Sequence, residues 1–366
     1  MKLHFQQADL AESVNIVLKA VPSKTTMPIL ECILIDSTSG EIRLTANDME
    51  LGIETVAEGS IEERGKIALD AKIFSDIVRK LPNGIVTIET DQNLTAVITC
   101  EKAKFDIPGK DAEEFAALPE IEKNEYIEIS QFSLREVIRQ TLFCIAPNEN
   151  NKLMTGELFE VRNNMLKVVS LDGHRIAIRN LELRGDCSDK KVVIPGKTLN
   201  EISKILSGGM DDMVRIYFDT NYLLFVFGRT IVLSRLIDGE YFRIDQMLSS
   251  DYETKVVLNR QSFLGSIDRA TLLVRESDKM PVILQICDDV LNLQINTMLG
   301  SMDEETIVDK TGKDIAIGFN PKFLMDALRA IDDEEVSLYF INAKAPCFIR
   351  DDKGSYIYLI LPVNIR

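Results

Sequence analysis

The 366-residue chain contains no tryptophan, only two histidines (His4 and His174), and no uncharged run long enough to cross a bilayer. The longest such run, Val290 to Met302, has thirteen residues, whereas a membrane helix needs ~20 apolar ones. With two histidines, metal ligation and acid–base catalysis of the usual imidazole kind have almost no material. The cysteines, Cys32, Cys100, Cys144, Cys187, Cys287 and Cys347, are widely separated and form no C-x-x-C pair. They read as small apolar core residues, not as a zinc or redox site. The amino terminus, MKLHFQQADLAES, lacks the apolar stretch and small-residue cleavage site of a secretory leader, which predicts a cytoplasmic protein. Basic residues are in deficit too: 42 Lys and Arg against 58 Asp and Glu leave −16 at pH 7. That balance argues against a surface coated in positive charge to grip nucleic acid.

What is present is a globular composition, 45% hydrophobic and 27% charged, at a length that suits two or three domains. Motifs for catalysis fail on inspection. The run VVIPGKTLNEISKIL (192–206) mimics the end of a phosphate-binding loop, but the glycine needed at position 191 is lysine. Ser170, Asp172 and His174 alternate along one extended segment and do not converge as a triad. Asp211-Asp212 and Asp303-Glu304-Glu305 read as solvated turns before they read as metal ligands. A non-catalytic protein with no metal and no cofactor is the expectation.

Self-similarity carries more information. VNIVLKAV (14–21), VIRQTLFCI (137–145) and IDRATLLV (267–274) share one apolar helical spacing, and each precedes a strand-like run: ILECILID (29–36), LMTGELFEV (153–161) and VILQICDDV (282–290). A second set, AKIFSDIVRKL (71–81), GKTLNEISKIL (196–206) and PKFLMDALRAI (321–331), ends at Leu81, Leu206 and Ile331, 125 residues apart in both steps. Phe74, Ile77, Val78 and Leu81 mark one buried helical stripe in the first member. Alternating strands such as KIAL, IVTIET, VRIYF and EVSLYF surround these helices. The fold class is therefore α+β: three similar domains, 1–124, 125–250 and 251–366, each with two helices packed on antiparallel sheets. Such units bury their edges side by side, and a head-to-tail arc can close with a second copy into a ring.

The charge is unevenly placed. The six helical segments 8–21, 71–81, 131–145, 196–206, 262–275 (which includes Arg275) and 321–331 together carry +5, leaving −21 for the remainder. Helices facing one side would give a mildly positive lining that attracts phosphates without reading bases.

At this point the sequence resembles a known family over its whole length. KTTMPIL (24–30), LMTGELFEV, SLDGHRIA (170–177) and the closing YLILPVNIR are similar to segments of the bacterial DNA polymerase III beta subunit, the sliding clamp. The resemblance implies a six-domain ring made by a head-to-tail homodimer, with helices lining a hole that encircles double-stranded DNA. It implies a processivity factor of the polymerase holoenzyme, not an enzyme. It also implies a hydrophobic groove for short linear motifs of the replicative polymerase, the clamp loader and repair polymerases. By position that groove comprises Met154, Leu171, Gly173, His174, Arg175, Ile176, Phe242, Met247, Leu359, Ile360, Leu361, Pro362 and Val363. The DNA-facing set implied is Lys24, Lys72, Arg79, Lys197, Lys204 and Arg329, of which Lys24 and Lys197 sit in matching motifs. The implied dimer contact sets Phe105 against Leu272 and Leu273. The chain departs from the family pattern at Glu240, Phe242 and Gln246, where a basic residue, a proline and a basic residue are usual. Two other readings stay open on the sequence: a three-domain interaction scaffold that never encloses DNA, and, as a foil, a nucleotide-metabolism enzyme built around 192–206.

Overall fold

The structure, a computed structural model, describes residues 1–147, 151–185, 187–274 and 280–365. Arg275, counted in the helical charge, and Arg366, the end of the YLILPVNIR segment, lie outside the described residues.

Six α-helices occur among the described residues: α1 Gln7–Val17, α2 Ala71–Lys80, α3 Gln131–Thr141, α4 Gly196–Ile205, α5 Arg260–Thr271 and α6 Pro321–Ala330. Two fall in each third of the chain, as the repeat predicts. Helices α2, α4 and α6 stop one residue short of Leu81, Leu206 and Ile331. Their starts are set locally. Asp70 accepts from Ile73 N at 2.8 Å, Asn259 caps α5 through Ser262 N at 2.9 Å, and Asn320 caps α6 ahead of Pro321. The longer helices expected at 8–21 and 131–145 tighten into 3-10 turns, Leu18–Ala20 and Leu142–Cys144. The strands expected from 29 and 153 likewise begin with 3-10 turns, Pro28–Glu31 and Lys152–Thr155. Pro28 at the first and the Asn151 side chain at the second supply the turn chemistry.

The chain divides into two compact units, Met1–Leu134 with Lys197–Leu236, and Arg135–Gly196 with Ile237–Arg366. Unit one holds a thirteen-stranded sheet; unit two holds sheets of nine and four strands. Each large sheet contains a joint between successive repeats. In unit one, Leu51–Ala57 pairs antiparallel with Thr230–Arg235, and the buried hydroxyls of Thr55 and Thr230 hydrogen-bond at 2.9 Å. In unit two, Arg175–Glu182 pairs with Tyr356–Ile360. The two joints are one joint a repeat apart. Gly52 faces Leu233 in the first; Ile176, 124 positions later, faces Leu359, 126 positions later, in the second.

Side chains alternate across each sheet. In unit two one face joins α5 and α6 in a core that includes Phe263, Ile267, Leu324, Leu328, Tyr358 and Ile360. Cys32, Cys100, Cys144 and Cys347 are buried, Cys187 is half-buried and Cys287 is exposed. The acidic run Asp303 to Glu305 is a correction to the expected turn: it lies on the strand Gly300–Ile307, where Glu304 accepts from Ser266 and Arg269. No helix among the described residues is long and apolar enough to cross a membrane.

Candidate functional site

The other face of the nine-stranded sheet carries a separate apolar cluster at the second joint. Leu158, Val169, Leu171, Ile176, Ile178, Phe348 and Leu359 form its floor. The segment that follows the strand Thr230–Arg235 crosses that floor. Ile237 N donates to Val193 O at 2.9 Å, the Tyr241 hydroxyl donates to Val169 O at 3.3 Å, and Tyr241 meets Phe242 edge-on at 5.5 Å. Lys167 pins the segment by an ion pair to Asp245 at 2.9 Å. Met154 and Leu153 close one side from the 3-10 turn.

Of the residues expected in the groove, Met154, Leu171, Ile176, Phe242 and Leu359 therefore share one cluster. The tail continues along it: Leu361 N donates to His174 O and Val363 N to Gly318 O, both at 2.9 Å. Leu361 and Val363 keep 38% and 39% of their surface, and Met247 keeps 50%, so apolar surface at the rim stays available. Pro362 is half-buried, Gly173 sits in the turn at φ +83°, and exposed His174 stacks on Phe323 at 6.0 Å.

Two expected groove residues turn the other way. Ile360 is 1% exposed in the helix-facing core, because it alternates with Leu359. Arg175 is also buried. Its Nε donates to Asp172 at 2.9 Å, Nη1 to Asp326 at 2.7 Å and Nη2 to Phe143 O at 2.7 Å, and its guanidinium lies over the Phe323 ring at 4.5 Å. These three bonds tie the turn after Leu171 to α6. Tyr241, Ile244, Tyr339 and Phe348 join the cluster without having been expected. Only alternation within EVSLYF and CFIR could have pointed to the last two.

On the strand Gly156–Arg162, which also carries Leu158 of the cluster floor, Glu157 is fully buried and neither carboxylate oxygen has a partner. The Thr141 hydroxyl donates instead to Val137 O at 2.7 Å. Burial without a countercharge pushes the Glu157 carboxyl up to about 8. Its register counterparts in the other repeats are Ile33 and Val282.

The basic residues expected to face DNA are all exposed, but they are not equally free. Lys24 and Lys72 make no ion pair among the described residues. Arg79 pairs with Asp76 at 3.6 Å, Lys204 with Glu201 at 2.7 Å and Arg329 with Asp268 at 3.7 Å. Lys197 pairs with Asp48, whose carboxylate is nearly buried and also accepts from the backbone of Glu50 and Leu51. That bond links α4 of the middle repeat to the first repeat, so part of the Lys197 charge is committed. The opening of α4 shows no phosphate cradle: Thr198 is 2% exposed and bonds the Ser234 hydroxyl at 2.8 Å.

Among the strand edges left open in the described residues, two flank the residues expected at the dimer contact. Gly300–Ile307 pairs only with Val290–Thr297, and Ala103–Lys110 pairs along one side with Thr95–Cys100 but on its other side only through Gly109 and Lys110. Phe105, 38% exposed, lies on the second of these edges. Beside the first, Leu272 is 79% and Ile307 86% exposed, while Leu273 packs partly into the core. Ile307 was not legible in the sequence, because exposure of an edge depends on which strands fail to pair; the bare Met298 lies in the turn between Val290–Thr297 and Gly300–Ile307.

Comparison with known proteins matches three family models in succession: the N-terminal domain of the DNA polymerase III beta subunit over residues 1–119, the central domain over 128–242 and the C-terminal domain over 245–364. Beta sliding clamps of Staphylococcus epidermidis and Staphylococcus aureus are 34% and 35% identical to the chain, with 96% of each sequence covered. Among solved structures, a putative DNA polymerase III beta subunit from Eubacterium rectale is 63% identical with a TM-score of 0.97. The DNA polymerase sliding clamp of Bacillus subtilis is 34% identical, also at 0.97, and both matches cover the full length of both chains.

Proposed function

Because the chain belongs to the DNA polymerase III beta subunit family, the bacterial beta sliding clamps, we propose that it works as a clamp on double-stranded DNA. Two copies join head to tail, close a six-domain ring round the duplex in the cytoplasm, and tether the replicative polymerase to it. The family is one of accessory subunits, without catalysis of its own.

The observation that carries this reading is the strand joint that occurs twice within one chain. Gly300–Ile307 is to the third repeat what Leu51–Ala57 and Arg175–Glu182 are to the first and second. Ala103–Lys110 is to the first what Thr230–Arg235 and Tyr356–Ile360 are to the other two. Both strands of a third joint are thus present, each with an open side. An unpaired edge is a template for another strand, and a contact between unlike ends closes a ring when the rotation allows. Phe105 from one copy, with Leu272, Leu273 and Ile307 from the other, supplies the apolar cover.

Lys24, Lys72, Arg79, Lys197, Lys204 and Arg329 offer sparse charge to phosphates, which favours sliding over reading. The clamp loader and repair polymerases dock, with the replicative polymerase, as short motifs in the groove of Leu171, Ile176, Phe242, Leu359 and the exposed tail. Methionine at Met154 and Met247 suits a surface that must accept several peptides. The domain seams sit near 124 and 250, in the irregular segments between strands.

The test is topological. Clamp loaded on a closed DNA circle should stay bound and be released when the circle is cut. Retention that ignores cutting would refute encirclement and favour a scaffold. In solution, sedimentation should give twice the 41.2 kDa protomer mass.

A further inference from the structure

We infer that the seam between two copies is built one rung short of the seams within each copy, because Pro108 stands where both internal joints have a backbone donor, and that this proline sets how readily two copies part. The inference rests on the head-to-tail reading proposed above.

The repeat fixes the register of that seam. Glu54, Ile178 and Asp303 are equivalent positions, because they face Thr45, Val169 and Gln294, which in turn face the equivalent Leu34, Leu158 and Ile283. In the same way Phe105, Val232 and Tyr358 face the equivalent Ile98, Phe225 and Ile349. In the two joints within a copy, Ile53 pairs with Val232 and Ala177 with Tyr358. Met302 of one copy therefore pairs with Phe105 of the other. One step along, Asp303 meets Lys104, where the internal joints set Glu54 against Ile231 and Ile178 against Ile357. Opposite charges on facing residues suit a second copy as the occupant of this edge.

At one end, each internal joint carries a bond just past its paired residues. Arg235 N donates to Glu50 O at 2.7 Å in the first joint, and Leu361 N to His174 O at 2.9 Å in the second. Arg235 stands three residues after Val232 and Leu361 three after Tyr358; three after Phe105 stands Pro108. Proline has no N–H to give. Its nitrogen also faces the joint. Pro108 is exposed on the open edge, while the next residue turns back into the sheet, Gly109 N donating to Leu94 O at 2.7 Å. The other end of the seam loses nothing. There Val56 N donates to Arg229 O at 3.1 Å and Asn180 N to Ser355 O at 2.8 Å, and the counterpart donor, Glu305, keeps its N–H. The ladder between copies is thus open at the end that the internal ladders close.

The experiment measures the dimer dissociation constant of the full chain, by sedimentation of labelled protein over a dilution series, for the parent, Pro108→Ala and Pro108→Thr. Both changes restore an N–H and differ in side chain. Release of the ring alone would loosen the strand in the lone copy and weaken association, so the two causes have opposite signs. A backbone bond regained at each of the two seams should lower the constant by about five- to a hundredfold in both variants. Hydrogen exchange should find the new amide at position 108 protected in the dimer and unprotected in the diluted protomer. Circular dichroism equal to the parent's shows that the variants fold, and if one unfolds the other decides. The inference is overturned if the dimer becomes no tighter, or becomes tighter while the amide at 108 still exchanges freely. Either result leaves the head-to-tail dimer standing. If parent and variants all sediment as protomers at every concentration, the head-to-tail reading fails and this inference falls with it.

Discussion

Replacing Glu157 by valine should stabilise the protein, and by an amount that depends on pH. The carboxyl ionises near 4.5 in a free chain and near 8 in the folded one. Between those values the folded state holds a proton that the unfolded state has lost, so stability falls as pH rises. At pH 7 the penalty is about 3 kcal/mol, from ~1.4 kcal/mol per pH unit over the interval above 4.5. Below pH 4.5 both states are protonated and the penalty is gone. Valine nearly conserves the volume of the side chain and is the residue that the third repeat uses at Val282, itself fully buried. It also removes two oxygens that have no partner. Urea titrations followed by far-ultraviolet circular dichroism, at pH 4.5, 6 and 7.5, would measure the difference. The variant should gain about 3 kcal/mol at neutral pH, a midpoint shift of about 1 M for an m-value near 3 kcal/mol/M, and much less at pH 4.5. An advantage equal at all three pH values would refute the buried, neutral carboxyl.

Three further outcomes follow from geometry. Arg175→Met strands Asp172 and Asp326 and should cost about 3–5 kcal/mol, read as a lowered melting temperature; Arg175→Lys should recover little, because an ammonium cannot replace the three-way fork. Gly52→Ala drives a methyl into Leu118 and should cost about 1–3 kcal/mol; adding Leu118→Ala should relieve most of the clash, which a double-mutant cycle measures. Ile307→Asp places a charge beside the open edge Gly300–Ile307 and should halve the sedimenting mass at micromolar concentration, with no change in secondary structure by circular dichroism.

The helices were legible because their signals are local. Phe74, Ile77, Val78 and Leu81 fall at helical spacing, and all four are below 10% exposed in the folded chain. The rejection of a phosphate loop also follows from one short motif, since Lys191 stands where the motif needs glycine. The groove was legible only in part. Leu359 and Ile360 are adjacent, yet one faces the motif cluster and the other the helices, a choice set by strand register over some 180 residues of intervening chain. Arg175 enters the expected groove only by its position in the family resemblance. Its burial depends on Asp326 in α6, which no local pattern reveals. Gly52 gave no signal at all, because the reason for its size is Leu118, on a different segment.

The joints are made of backbone bonds between whole strands, and this gives them a direction-dependent strength. A pull along the strand order of unit one, across the pairing of Leu51–Ala57 with Thr230–Arg235, loads every rung of the ladder together. A twist applied at one end loads a single rung, which breaks before the next one feels the force. The same seam therefore resists tension and yields to peeling, so a machine that needs to part such a seam does best to bend it from its edge.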